Sequence, residues 1–308
     1  MSVSDFQTPE HRRPKIREFS PPGKAAPSGA FKQARADFPG LTDAHLHLQH
    51  EAFAADLQGV LGRADAAGVE RLASCGTRPA DWPRLLELAR AHPRVVIPSF
   101  GVHPWFAAEA REGWLSELER FLDAVPSGVG EAGLDRTPRG APVEVQERVF
   151  RAQLALARRR GLPLSVNCVR ALGRLLELLN AEPPPPFLLH AYAGSAEAVE
   201  PLARLGAYFS FAPFNLAGAR AIRAPLAPSS GVAAGAPEGA RTRAREALLA
   251  VPPDRLLFES DAPDAPRPPC SEPSLLPSLL ADAARLRGMD ARELAALCRE
   301  NARRLFGR

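Results

Sequence analysis

Short apolar segments and longer segments with helical spacing alternate along the chain from about residue 39 onward. Eight apolar segments have the length of buried strands, and stretches with apolar residues three and four positions apart lie between them. The pattern predicts strands within 41–48, 69–76, 94–104, 127–135, 162–169, 186–192, 207–213 and 255–263. It predicts helices over 53–67, 81–91, 112–124, 143–160 and 171–179.

The alternation of strands and helices favours a parallel sheet with helices on its outside. Eight is the number of strands that closes a (β/α)8 barrel of the TIM type. An open doubly wound sheet is the competing fold, but the residues after the first strand, Gln49, His50 and Glu51, do not form a glycine-rich phosphate turn. We therefore predict an α/β fold, a single-domain (β/α)8 barrel over residues 39–308.

Two segments lack any sustained period. Residues 1–38 are polar, rich in proline and basic, which predicts a disordered arm. Residues 224–241 consist mainly of alanine, proline, glycine and serine, which predicts a flexible loop inserted after the seventh strand.

Composition narrows the class of protein. Hydrophobic residues make up 45% of the chain and charged residues 24%, as in soluble globular proteins, and no apolar run is long enough for a membrane-spanning helix. The first residues lack the apolar core of a secretory signal, so we expect a cytoplasmic protein without a membrane partner. The four cysteines form no C-x-x-C pair, which predicts reduced thiols. The net charge of +4 indicates a mild preference for polyanions.

Polar residues collect where the predicted strands end. In a (β/α)8 barrel the carboxyl ends of the strands meet at one mouth, where active sites are built. The residues concerned are His45, His47, His103, Glu131, Asp135, Asn167, His190, Glu259 and Asp261.

The segment "DAHLHL" places two histidines on one face of the first strand, since side chains two residues apart point the same way. Neutral imidazole is a common metal ligand, so His45 and His47 can share a cation; a pair of ordinary strand histidines is the alternative. Glu131 is costly to bury at its strand end unless a metal or an arginine compensates it. By alternation Glu259 shares a face with Asp261, and Asp261 lies nearer the mouth.

The motifs "DAHLHL", "FGVHPW", "GEAGLD", "HAYAGS", "ESDAP" and "ENARRLFG" resemble, in order and spacing, those of the TatD-like metal-dependent hydrolases of the amidohydrolase-like barrel group. The resemblance covers about residues 39–308. It implies a TIM-type barrel and a divalent-metal-dependent hydrolase that uses a metal-activated water. DNA exonuclease activity is the best-known activity of the family, so the implied substrate is nucleic acid or a small phosphodiester.

The resemblance also implies roles for individual residues. One or two divalent cations (Mg, Mn or Zn) would be held by His45, His47, Glu131, His190 and Asp261. One cation would lie on the histidine pair and Asp261, which would also act as the general base, and Glu131 would bridge to the other. His103 would contact the scissile phosphate or a metal-bound water, with a structural turn histidine as the alternative. In the phosphodiester hypothesis, Arg170 or Arg136 at the rim would hold substrate phosphates.

Asn167 departs from the family, which has a histidine at this place at the end of the fifth strand. An amide oxygen is a hard, neutral ligand that suits Mg²⁺ better than Zn²⁺, so we expect the second cation site to be weak or lost. Two other functions stay open for that reason. One is a single-metal hydrolase of amides or lactones, and the other is a degenerate barrel without catalysis. A panel of substrates tests the first, and metal content tests the second.

Overall fold

The computed structural model describes residues 38, 40–216, 238–263 and 271–307, and in this part of the chain eight parallel strands form one sheet. Each strand pairs with the next strand along the chain. The strands are β1 (Leu41–Leu46), β2 (Val69–Cys75), β3 (Val96–Phe100), β4 (Gly128–Asp135), β5 (Leu164–Val169), β6 (Phe187–Leu189), β7 (Ala207–Phe211) and β8 (Leu256–Phe258).

The first strand and the segment after the last strand close the sheet into a barrel. Asp261 donates its backbone N–H to the carbonyl of His45 at 3.1 Å, and His47 donates to the carbonyl of Ala262 at 2.7 Å. The predicted (β/α)8 barrel is therefore confirmed. Its carboxyl-terminal strand ends lie at one mouth.

Helices follow the strands. They are α1 (Leu57–Ala66), α2 (Trp82–Ala91), α3 (Trp114–Ala124), α4 (Val143–Arg160), α5 (Leu172–Ala181), α6 (Val199–Arg204), α7 (Pro213–Leu216), α8 (Glu238–Ala250), α9 (Leu276–Arg287) and α10 (Ala291–Phe306). Short 3-10 helices span Glu51–Phe53, Pro104–Glu109, Ala196–Ala198, Pro253–Arg255 and Pro273–Leu275.

Helix α4 shows why the helices pack as they do. Its buried face carries Val149, Phe150 and Leu154 at helical spacing, and these side chains join the main apolar core. Burying each such side chain stabilises the fold by about 1.5–3 kcal/mol. The helix ends at Gly161, which adopts a left-handed conformation (φ +63°) and donates its N–H to the last turn.

Some predicted boundaries need correction. The predicted loop 224–241 is wrong at its end, because residues 238–241 already belong to α8, whose alanine, arginine and glutamate residues favour a helix. Residues 224–237, and 1–37 of the predicted arm, lie outside the described residues. Within the described part no helix is long and apolar enough to cross a membrane. Cys75, Cys168 and Cys298 are free thiols there, and Cys270 lies outside it.

Candidate metal centre

Five side chains from four sectors of the barrel converge at the mouth. His45 and His47 come from β1 and the residue after it, Glu131 from β4, His190 from the segment after β6, and Asp261 from the segment after β8. Glu131 Oε2 lies 3.4 Å from Nε2 of both His45 and His47. Glu131 Oε1 lies 2.9 Å from His190 Nε2. Asp261 Oδ1 lies 3.9 Å from Nε2 of both paired histidines.

The glycines around Glu131 let β4 approach β5 closely. A side chain on Gly133, which has φ +138°, would place its Cβ 2.0 Å from the backbone oxygen of Asn167. Glycine is therefore required there by both space and conformation. The close approach buries Glu131 among the histidines, with a side chain that is 3% exposed.

Each of the paired histidines has a partner on the far side of its ring, and in His47 that partner sets the position of the proton. His47 Nδ1 lies 2.8 Å from the carbonyl oxygen of Cys75, which can only accept, so Nδ1 carries the proton and Nε2 is left with its lone pair. His45 Nδ1 lies 3.2 Å from Ser165 Oγ, and its Nε2 is buried without a hydrogen-bond partner among the described residues. Both Nε2 atoms therefore face Glu131, and that of His47 is in the unprotonated form that binds metals.

The charges of the centre follow from burial and proximity. Burial, and then the neighbouring His190, lower the pKa of His45 to about 4. Burial also lowers the pKa of His47, so both rings stay neutral. Burial opposes the ionisation of Glu131, but His103 and His190 outweigh it and hold the pKa of Glu131 well below its usual range. Burial likewise opposes the charging of His190, yet the Glu131 carboxylate holds the pKa of His190 well above its ordinary value.

The donor set fits a divalent cation. Two groups have ligand atoms that all lie within 4.8 Å of one another, and His45 belongs to both: one adds His47 and Glu131, the other His190 and Asp261. His190 Nε2 is buried and forms no hydrogen bond of acceptable geometry, although Glu131 is near. Imidazole nitrogens and carboxylate oxygens together suit Zn²⁺, Mn²⁺ or Fe²⁺.

The two carboxylates after β8 lie on different sides of His190. Glu259 is fully buried, accepts the backbone N–H of Ala191 at 2.7 Å and the hydroxyl of Ser210, and lies 3.5 Å from His190 Nδ1. Asp261 has φ +50° and a side chain that is 18% exposed. The solvent therefore reaches Asp261, while Glu259 holds the ring of His190 from behind.

The remaining predicted site residues are His103, Asn167, Asp135 and Arg170. His103 Nε2 lies 3.3 Å from Glu131 Oε1, and Asn167 is buried on β5. Asp135 accepts the indole N–H of Trp105 at 2.6 Å and the backbone N–H of Thr137 at 2.7 Å, so it both caps its turn and fixes the tryptophan. Arg170 is exposed at the end of β5, and the described contacts do not join it to the five converging side chains.

Sequence reasoning missed the partners that fix these residues. Asp43 is fully buried and accepts the backbone N–H of Ser260 at 2.9 Å and that of His45 at 3.3 Å, which ties β1 to the segment after β8. Burial raises the pKa of Asp43 to about 7 against the hydrogen bonds from Ser260. Ser165 could have been found, since it lies two residues before Asn167 and alternation places it on the same face.

Known proteins match the chain over nearly its whole described length. The family model described as TatD related DNase matches residues 42–307. The 3'-5' ssDNA/RNA exonuclease TatD of Erwinia tasmaniensis is 32% identical over 277 residues, which cover 86% of this chain and 99% of that protein. The uncharacterized metal-dependent hydrolase YabD of Bacillus subtilis is 29% identical, over 86% of this chain and 98% of that protein.

Among solved structures, the chain is similar to YjjV, a TatD homologue from Escherichia coli. The TM-score is 0.74 at 25% identity, and the match covers 87% of this chain and 98% of that one. All five converging side chains lie within the matched residues 42–307.

Proposed function

Because the chain belongs to the TatD DNase family of metal-dependent hydrolases, we propose that it removes nucleotides from the end of single-stranded DNA or RNA. The relative from Erwinia tasmaniensis, named as an exonuclease on these polymers, supports the substrate class. The observation that carries the proposal is the convergence of the histidine pair on one oxygen of Glu131, with Asp261 beside them.

The proposed role of each residue follows from the atoms that it presents to a cation. A divalent cation, when bound, lowers the pKa of water and stabilises charge on a phosphoryl oxygen. His45 and His47 would offer their Nε2 atoms to that cation, and Glu131 would offer Oε2. His190 would complete the set from the other side of Glu131.

Asp261 is the proposed general base. Its side chain is 18% exposed, against 3% for that of Glu131 and none for that of Glu259, so it is the carboxylate of these three that solvent reaches. In the reaction an oxygen of water bonds to phosphorus while the bond from phosphorus to the leaving sugar oxygen breaks. Asp261 would accept the proton of that water, and the leaving oxygen would gain a proton from solvent water.

Trp105 supports a nucleic-acid substrate at the rim. Its ring is 39% exposed, is fixed through its indole N–H by Asp135, and lies 5.0 Å from the ring of His103. The guanidinium of Arg139 lies 5.2 Å from the centre of the indole. Nucleobases stack on such exposed aromatic rings whatever their sequence, and cationic groups nearby attract the backbone. Arg170 is proposed, as the sequence predicts, to contact a phosphate.

An assay of end-labelled single-stranded DNA and RNA tests the proposal, with Mn²⁺, Mg²⁺ or Zn²⁺ added to chelator-treated protein. We expect stepwise shortening of the substrate that depends on the cation and is lost in His47→Ala. Glu119→Gln is the matched control, because Glu119 pairs with Arg159 at the opposite end of α4 from the mouth. Hydrolysis of lactones or amides without cleavage of either polymer would favour the single-metal alternative.

A further inference from the structure

Asn167 lies between two members of the centre. Strand β5 runs between β4, which carries Glu131, and β6, which leads to His190. Ser165 on β5 contacts His45 with its hydroxyl, so this face of the strand points into the barrel. The pairing of β5 with β4 is regular from Val166 to Val169, and alternation therefore places Asn167 on the same face, nearer the mouth.

The amide of Asn167 has donor capacity that the protein does not use. The residue is 7% exposed, and its Nδ2 is buried without a hydrogen-bond partner among the described residues. A buried amide N–H group without a partner is unfavourable, and each such group in a native structure calls for a ligand or another explanation. The amide nitrogen has no lone pair to give to a cation, and it can donate two hydrogen bonds.

His103 presents an N–H donor near Oε1 of Glu131. Its Nδ1 accepts the backbone N–H of Trp105 at 3.1 Å, so the neutral ring must carry its proton on Nε2. Nε2 lies 3.3 Å from Glu131 Oε1, longer than a typical N–H···O bond, so this donor is not fully engaged. His47 has the opposite arrangement, with the proton on Nδ1 and a bare Nε2.

The Oε1 side of Glu131 therefore differs from the Oε2 side. The Nε2 atoms of His45 and His47 lie next to Oε2, whereas His190 Nε2, the His103 N–H group and the neighbouring strand of Asn167 lie on the Oε1 side. We propose that this chain binds one divalent cation, on the Oε2 side. We propose also that the N–H groups of Asn167 and His103 bind a non-bridging phosphate oxygen where a second cation would otherwise lie.

The assignment of that anion to the scissile phosphate rests on the proposed function, but the pocket itself does not. A phosphate oxygen next to Glu131 is tolerated because the cation on Oε2 offsets the carboxylate charge. Two donors aimed at one oxygen are the arrangement that stabilises developing negative charge in many hydrolytic sites.

Counting cations tests the first half of the proposal. Metal-free protein is titrated with Mn²⁺ by calorimetry, and the bound metal is quantified by mass spectrometry. We expect roughly one tightly bound cation per chain in the wild type and roughly two in Asn167→His, which restores an imidazole ligand. The His103→Phe variant should bind as many cations as the wild type, since its ring is a donor and not a ligand. Two tight cations in the wild type, or a cation lost in His103→Phe, would overturn the proposal.

Binding of inorganic phosphate to the Mn²⁺-loaded protein tests the second half. Asn167→Leu keeps the shape and removes the donors, and we expect it to weaken phosphate binding by about tenfold or more, as does His103→Phe. Asn180→Leu, on the outer surface of α5, is the control. Melting temperatures establish that each variant is folded; if Asn167→Leu does not fold, Asn167→Ala, which also lacks the donors, takes its place. Unchanged phosphate affinity in both donor variants would refute the pocket.

These results separate the two proposals. One cation and a donor-dependent phosphate site in a protein without exonuclease activity would remove the proposed function and leave the pocket standing. Exonuclease activity with two tightly bound cations in the wild type would support the proposed function and refute the phosphate pocket.

Discussion

The substitution Glu259→Gln tests how the protein positions His190 as a proposed metal ligand. Glu259 lies 3.5 Å from His190 Nδ1 and is held by the Ala191 N–H group and the Ser210 hydroxyl. Glutamine can keep both of these bonds, one as acceptor and one as donor, so the variant mainly loses the negative charge behind the ring. Two unit charges 3.5 Å apart interact by roughly 5 kcal/mol at an effective dielectric constant of about 20, and desolvation offsets much of this.

The net loss should match that of other carboxylates that orient metal-binding histidines. Removing such a partner lowers metal affinity by about 10- to 100-fold, which is about 1.4–2.7 kcal/mol. Calorimetric titration of metal-free Glu259→Gln with Mn²⁺ measures the loss, and Glu119→Gln is the control. Affinity within about twofold of the wild type would refute the positioning role. A lower melting temperature with unchanged affinity would show that Glu259 acts on stability alone.

Three further predictions concern the same mouth. Asp261→Asn should keep the fold and lower turnover by about 10²- to 10⁴-fold, as expected for loss of a general base. Single-turnover kinetics with saturating Mn²⁺ measure the rate, and activity near that of the wild type would exclude Asp261 as the general base. Cation binding should release a proton, because Glu131 raises the pKa of His190 and the metal-free ring is charged at neutral pH. The affinity for the cation should therefore fall as the pH is lowered. Calorimetry in buffers of different ionisation enthalpy measures the proton release. Asp43→Ala should lower the free energy of unfolding by about 2–4 kcal/mol, because it leaves the buried Ser260 N–H group and hydroxyl without their acceptor. Urea denaturation measures this change, and an unchanged unfolding midpoint would contradict the prediction.

The barrel could be predicted because the eight strands and the helices α1 to α5 each have a clear local pattern, whereas α6 to α10 were not predicted. The apolar segments have strand length, and the helix 143–160 was predicted with the boundaries that α4 has, since its period is clear and Gly161 ends it. Strands β6 and β8 are shorter than their apolar segments, at three residues each. The polar residues at the ends of these two segments lie beyond the last residues paired with a neighbouring strand. The length of the sequence segment is therefore greater than the length of the strand.

The directions of side chains beyond the strands could not be predicted. Alternation holds within a paired strand, but Asp261 has a positive φ and follows β8, so its face is set by the turn and not by its distance from Glu259. The proton positions of His47 and His103 depend on the Cys75 carbonyl and the Trp105 N–H group. The Cys75 carbonyl belongs to another strand, and the position of the Trp105 N–H group depends on the conformation of the turn. Neither hydrogen bond therefore follows from the sequence pattern.

The central claim is that these five side chains hold a divalent cation on which phosphodiester hydrolysis depends. Its most direct test is one titration in which Mn²⁺ is added to metal-free protein while bound metal and nucleotide release from single-stranded DNA are measured in the same samples. The account predicts that hydrolysis rises in proportion to bound cation and reaches its plateau at roughly one equivalent per chain. Hydrolysis that proceeds fully without bound cation, or a fully loaded protein that releases no nucleotide, would contradict it.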